Sequence, residues 1–281
     1  MKTVYFDSYV YNRLVEEKVI KKQILKLNYD KKIEVFFSDY LFNELTCTFI
    51  NDPAKGRKIS EIVLKLISDK ILKQRESLIN KEIIAFLNNA QKVGIFYSPE
   101  KSSEVIGVVN RMTRENPTNN RPLLEVIEAK KKNYQKIKDI IKEHQDKVDF
   151  GVFSNFEDYC NNPKFKAEED QFINKFLSQK IIKDSIDEKT IQKIKNNRNN
   201  LPHFDAYLKV SAAYQFALMK RKNNDQIWKK PCRGDDYDMR HFVSAATLDI
   251  LVCDREFLKI LKWAYPNKCC VILDDFFDLF K

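Results

Sequence analysis

Asp7, Glu44, Asp238 and Asp254 stand in local settings where carboxylates can gather around a cation. Asp7 closes the apolar run Val4-Tyr5-Phe6, and Asp254 closes a second run, Ile250-Leu251-Val252-Cys253. Both runs read as buried strands, and in an open parallel sheet the ligand site lies outside the carboxyl ends of the strands. Glu44 falls in a helical stretch after a third run, residues 33–37, while Asp238 opens a helical stretch carrying Phe242, Ala245, Ala246 and Leu248. Carboxylates crowded together repel one another unless a cation sits among them, and hard oxygen ligands select Mg²⁺ or Mn²⁺. Such a cation acidifies water and offsets charge on a phosphodiester, so no nucleophilic side chain is needed. Taken singly, each acid has an ordinary role: an Asp after a strand caps the next helix, and Glu44 is a solvated helix residue. Asp39, Asp235 and Asp236 are near enough in sequence to act as substitutes.

Several residues flank these acids. Ser8 follows Asp7, and His241 lies one helical turn after Asp238, where it can hydrogen-bond a metal-binding carboxylate or a phosphate, or be fixed by packing. Arg240 and Arg255 can neutralise a backbone phosphate or pair with surface acids. A basic segment precedes Asp238: Lys220-Arg221-Lys222, then Trp228-Lys229-Lys230 and Arg233. Cations interrupted by an aromatic suit a single strand, because phosphates meet the charges while a base stacks on the indole. The bland alternative is a solvated loop with Trp228 in the core. The Lys-rich stretch 123–148 reads as a solvated helical face.

The positioning elements follow a strand–helix alternation at both ends of the chain. Asp7-Ser8 and Ser38-Asp39 each offer a helix cap after a strand, and a last strand is expected near Cys269. Alternation of this kind implies a parallel sheet. The expected core is residues 1–50 and 232–281, with a third strand at 93–97. Residues 51–231 read as a mostly helical insertion, in which Ile59, Ile62, Val63, Leu66 and Ile67 keep helical spacing.

Composition sets the outer limits. The 281 residues are 43% hydrophobic, enough for a sizeable core, and the net charge of +10 favours a polyanionic partner. Six cysteines occur without a C-x-x-C pair, so neither a zinc ribbon nor a disulfide framework is indicated, and they read as small buried hydrophobes. Five glycines form no phosphate-binding loop of the P-loop or dinucleotide type. No apolar run approaches the ~18 residues of a membrane span, and no basic-then-apolar leader opens the chain; a cytoplasmic protein is expected.

The four-acid pattern is similar to the PIN-like domain superfamily of metal-dependent nucleases. The matching pieces are Val4-Tyr5-Phe6-Asp7, Glu44, the Asp-x-x-His opening at Asp238 and His241 with Ala245 downstream, and the Asp-x-x-Phe ending at Asp254 and Phe257. The resemblance implies a three-layer α/β/α fold with a central parallel sheet and metal-dependent nuclease roles for Asp7, Glu44, Asp238 and Asp254 around Mg²⁺ or Mn²⁺; single-stranded RNA as the substrate, and so an endoribonuclease, is the expectation from the basic segment around Trp228. A protein regulator or a homo-oligomer is a further partner expectation, which the resemblance does not supply. Val252 stands where the family often has a hydroxyl residue, and Ser8 or Asn12 where it has Asn or Thr. Two other readings compete. The scaffold can be catalytically silent, keeping its acids while the helical region recruits a protein or RNA. Arg198 and His203 also match the R-x4-H spacing of the helical, metal-independent HEPN-type ribonucleases, although Pro202 suits a helix start better than a continuous helix.

Neutralising Lys229 and Lys230 is expected to weaken binding to single-stranded RNA and flatten its salt dependence by about 0.7 per lost phosphate contact. Trp228→Ala is expected to remove a further ~1–3 kcal/mol if a base stacks on the indole. Filter binding of a labelled single strand at several salt concentrations checks both; affinity unchanged in the triple variant contradicts the assignment.

Overall fold

A computed structural model describes residues 1–90, 93–116, 153–180, 187–223 and 235–281. Its centre is a five-stranded sheet, β1 Lys2–Phe6, β2 Ile33–Ser38, β3 Ile67–Leu72, β4 Ile250–Val252 and β5 Cys269–Val271. The order is β3-β2-β1-β4-β5 and every pairing is parallel. Val4, Tyr5 and Phe6 are all buried, as are Ile250, Leu251 and Val252, because a central parallel strand is covered on both faces and needs an unbroken apolar run. Val4 pairs with Val35 on one side and Ile250 on the other. At the amino ends, Thr3 Oγ1 and N both donate to Asp249 Oδ2, and Asp249 N donates to Thr3 Oγ1, which pins the register of β1 against β4.

The helices that matter to the site start where strands end. Helix α1, Ser8–Glu16, is capped by Asp7; α2 is Lys18–Tyr29; α3, Asp39–Asn51, is capped by Ser38; and α4, Pro53–Leu66, is capped by Asp52 with Pro53 in its first turn. Two further helices, α5 at Arg75–Leu87 and α6 at Pro99–Met112, follow β3. After these come α7 Phe156–Asn161, α8 Pro163–Lys180, α9 Glu188–Asn196, α10 Pro202–Asn223, α11 Asp235–Ser244 and α12 Arg255–Ala264. Helices α1, α3 and α4 pack together, whereas α10 packs against α11 and α12. Strand order moves one way from β1 through β3 and the opposite way from β4 to β5, so right-handed crossovers put their helices on opposite faces. The arrangement is consistent with α/β/α layering.

The third strand is not where the sequence pattern put it. Ile67 ends the helical spacing of α4 by turning extended, and β3 runs on to Leu72, with an exposed Asp69 and Lys70 in the middle. An edge strand with a polar centre lacks the continuous apolar signal of β1. Residues 93–97 instead form an antiparallel bridge, Phe96 to Leu72, with Tyr97 N donating to Ile71 O at 2.9 Å. They cover the sheet edge, and the Phe96 ring lies 4.9 Å from that of Phe36. The segment 51–231, read as an insertion, therefore supplies β3 and also side chains of the main core, among them Ile59, Val63, Leu66, Val109 and Val210. The stretch 123–148 lies outside the described residues. Among those described, no helix is long and apolar enough to cross a membrane.

Helices α3 and α4 approach closely at Gly56, where an added Cβ would stand 2.3 Å from Phe49 Cα and 2.7 Å from its Cβ. Because the obstacle includes backbone, Gly56→Ala is expected to lower stability by ~1–3 kcal/mol or more. Urea unfolding followed by circular dichroism measures it, and an unchanged midpoint would contradict the close approach.

Candidate functional site

The acids at the ends of β1 and β4 meet because those strands are neighbours. Asp7 N donates to Val252 O at 3.1 Å, continuing the ladder one step past the strands. The Asp7 carboxylate then spends each oxygen on a backbone N–H: Oδ1 accepts from Val10 N and Oδ2 from Asp254 N, both at 3.1 Å. Asp254 caps α12, its Oδ1 accepting from Glu256 N at 2.7 Å and Phe257 N at 2.9 Å. The order of strands reverses between β1 and β4, so this pair flanks the switch point where open parallel sheets bind ligands.

Burial dominates the electrostatics of Asp7. It drives the carboxyl from its ordinary 3.8 up to about 8; the Val10 N–H opposes the rise, the Asp254 and Glu44 charges add to it, and the Asp254 N–H opposes it again. The neighbouring Cys253 thiol is also pushed up by burial and then by the charges of Asp7, Asp254 and Asp238, with Cys270 contributing. Asp7 thus feels Asp254 and Glu44, while Cys253 feels Asp7, Asp254 and Asp238. Both Glu44 and Asp238 are half-buried. No group of three or more His, Cys, Asp or Glu side chains among the described residues is set to hold one ion. The donor set is nonetheless all hard oxygen, and the mutual field on a buried Asp7 is what a divalent cation would relieve.

His241 is buried, and it joins three elements. Its Nδ1 lies 2.5 Å from Tyr5 Oη and 3.2 Å from Ser38 Oγ, while its Nε2 lies 3.2 Å from Glu44 Oε2. The Tyr5 hydroxyl and Ser38 Oγ are 2.8 Å apart. Tyr5 and Ser38 were hidden in the sequence, since Tyr5 reads as one more apolar strand residue and Ser38 as a helix cap. Ser8 occupies the first turn of α1, with its carbonyl accepting from Asn12 Nδ2 at 3.0 Å. With Tyr11, Leu41 and Glu44 these two line a small cavity of about 20 Å³, the size of one water molecule.

The remaining expected residues are distributed more widely. Arg240 stands 3.7 Å from Glu76 Oε1 and 5.8 Å from the centre of the Tyr40 ring. Glu76 also pairs with Arg75 at 2.7 Å and accepts a hydrogen bond from the Tyr40 hydroxyl. Burial pushes the Glu76 carboxyl up, yet Arg75, the Tyr40 hydroxyl and Arg240 together hold it at about 2. Arg255 is exposed and faces Asp274 at 3.7 Å. Asp39 accepts from Gln74 Nε2 and from the Tyr97 hydroxyl, on the β3 side. The side chains of Lys220, Arg221, Asp235 and Asp236, and all of Trp228, Lys229, Lys230 and Arg233, lie outside what the structure describes.

Arg198 and His203 face different carboxylates. His203 Nδ1 sits 2.5 Å from Glu82 Oε1, and the N–H groups of His203 and Phe204 also donate to that carboxylate. Arg198 instead faces Glu169 at 3.3 Å and Asp205 at 3.5 Å. Pro202 opens α10, so the two residues are separated by a helix start rather than carried on one continuous helix. The chain matches no family model, no curated protein and no solved structure.

The raised Asp7 carboxyl gives a signed expectation. The folded state holds its proton above the pH at which the unfolded chain releases it, so this contribution to stability is present below about 3.8 and is lost as pH rises to about 8. Asp7→Asn should remove that slope. Denaturant unfolding across this range, wild type against variant, checks it; parallel curves would contradict a buried, perturbed Asp7.

Proposed function

We propose that this chain is a metal-dependent endoribonuclease of the PIN-like type, acting on single-stranded RNA. The observation that carries the reading is the pairing of Asp7 and Asp254 at the carboxyl ends of two adjacent central strands, on either side of the switch point. Glu44 and Asp238 add negative charge to the same neighbourhood. Asp7, Glu44, Asp238 and Asp254 are the residues that would hold Mg²⁺ or Mn²⁺. When bound, such a cation acidifies water and offsets the charge that builds on a phosphodiester under attack. The chain's own part is to hold the acids in place through strand ends and helix caps, and to bring the strand in along Lys220, Arg221, Trp228, Lys229, Lys230 and Arg233, with Arg240 and Arg255 at the rim. The proposed setting is cytoplasmic, with a protein regulator or a second copy as candidate controls.

A second reading is supported by one specific feature. Both Asp7 and Asp254 spend carboxylate oxygens on helix caps, the ordinary use of an Asp after a strand. A silent PIN-like scaffold would keep both acids for that purpose alone.

Cleavage of single-stranded RNA, duplex RNA and single-stranded DNA in Mn²⁺ separates the two. The nuclease reading expects metal-dependent cutting of the single-stranded RNA, lowered about 100-fold by Asp7→Asn, as removal of ~3 kcal/mol of charge stabilisation implies. Thermal stabilisation by Mn²⁺ without cleavage of any substrate would establish the scaffold reading instead.

A further inference from the structure

His241 is held by two hydroxyls on one side and faces an acid on the other. Tyr5 Oη, Ser38 Oγ and His241 Nδ1 form a closed triangle with edges of 2.8, 2.5 and 3.2 Å. All three residues are buried, at 3, 0 and 2% exposure, so the hydrogens of the triangle must find acceptors inside the protein. Ser38 Oγ already accepts from Leu41 N at 3.1 Å as the cap of α3.

The hydrogens can be counted. With Nδ1 bare, the triangle contains two hydroxyl hydrogens, and both are used: the phenol donates to Nδ1, the shortest edge, and the Ser38 hydroxyl donates to the phenol oxygen. With a proton on Nδ1, in the other neutral tautomer or in the imidazolium, there are three hydrogens, and one has no acceptor within the triangle. The bare-Nδ1 form places the ring proton on Nε2, 3.2 Å from Glu44 Oε2. The Nε2 proton is off the line to Oε2, so the 3.2 Å contact is a close charge-facing approach and not an aligned hydrogen bond.

We infer that His241 is a positioning residue: Tyr5 and Ser38 hold its Nδ1 as an acceptor, so that the ring presents the Nε2 hydrogen, and not a lone pair, to Glu44. His241 is therefore a donor that orients an acid of the site and is not itself a ligand to a cation. Three separate elements set this up, since Tyr5 is on β1, Ser38 and Glu44 bracket the start of α3, and His241 is on α11. The consequence for metal binding rests on the proposed role of Glu44, whereas the tautomer itself does not.

The test uses the whole protein in two arms. Ring nitrogen NMR of ¹⁵N-histidine protein, with the His241 signals assigned by their loss in His241→Gln, reads the tautomer without any metal. The expected spectrum has a protonated Nε2 and a bare Nδ1, and the Nε2–H signal shifts in Glu44→Gln. A proton on Nδ1 overturns the inference and makes Nε2 a lone-pair donor. In the second arm, Mn²⁺ affinity is measured by calorimetry. His241→Leu is expected to bind ~10–100-fold more weakly, the usual cost of losing an outer hydrogen-bond partner of a ligand. His241→Gln, which keeps an N–H near the same place, recovers most of that loss. Equal weakening in Leu and Gln variants overturns positioning through the donor. Absence of Mn²⁺ binding by the wild type removes the metal reading of the site, while a protonated Nε2 that responds to Glu44→Gln still upholds the tautomer and its target.

Discussion

The Asp7 carboxylate is the joint on which the centre of the fold turns. It ends β1, caps α1 through Val10 N, and reaches across to Asp254 N at the end of β4. Strands β1 and β4 lie more than 240 residues apart in sequence, and their pairing is what closes the sheet. An apolar side chain would leave the Val10 and Asp254 N–H groups without these acceptors. Ionising Asp7 would set a negative charge beside two others with little water to screen it, and burial, more than any neighbour, raises the carboxyl's proton affinity. Two backbone N–H groups offset part of that cost, and any divalent cation in the neighbourhood would offset more.

A second node balances the first. His241 brings α11 against the start of α3 and faces Glu44 at 3.2 Å, while Asp7 and Asp254 are fixed from the strand ends. The Tyr40, Glu76, Arg75 and Arg240 cluster continues this polar layer towards β3. The Tyr5, Ser38 and His241 triangle and the Glu76 pairs satisfy one another where the surrounding core is apolar and an unsatisfied donor is expensive.

Much of this was legible in the sequence, for a physical reason. Central parallel strands need unbroken apolar runs, and the acids that end them stand out as abrupt changes of character, so β1, β2, β4 and the placement of Asp7 and Asp254 can be read directly. The single all-parallel sheet follows from the same alternation. Strand β3 escaped because an edge strand has a wet face, and its Asp69 and Lys70 broke the run that Ile71 and Leu72 would have extended. Residues 93–97 misled for the converse reason: Ile95 and Phe96 are apolar because they cover that edge, not because they pair in parallel within the sheet. His241 was visible as one turn from Asp238, but its real partners, Tyr5 and Ser38, sit 236 and 203 residues away, at distances no local pattern carries.

The helix-cap role of Asp7 and Asp254 and a cation-binding role are compatible at the level of lone pairs. An ionised carboxylate offers about four acceptor positions on two oxygens. Asp7 accepts one N–H on each oxygen, and both capping bonds of Asp254 fall on Oδ1. Capping therefore consumes about half of the acceptor capacity of each group while fixing the direction of the remainder. A carboxylate held this way loses little further side-chain freedom on meeting a ligand, so the ordering that any bound ion would otherwise have to impose is already supplied by the start of a helix. The cap at the end of each strand is then what aims the acid, and the ordinary structural use of these residues becomes the means by which a functional use is possible.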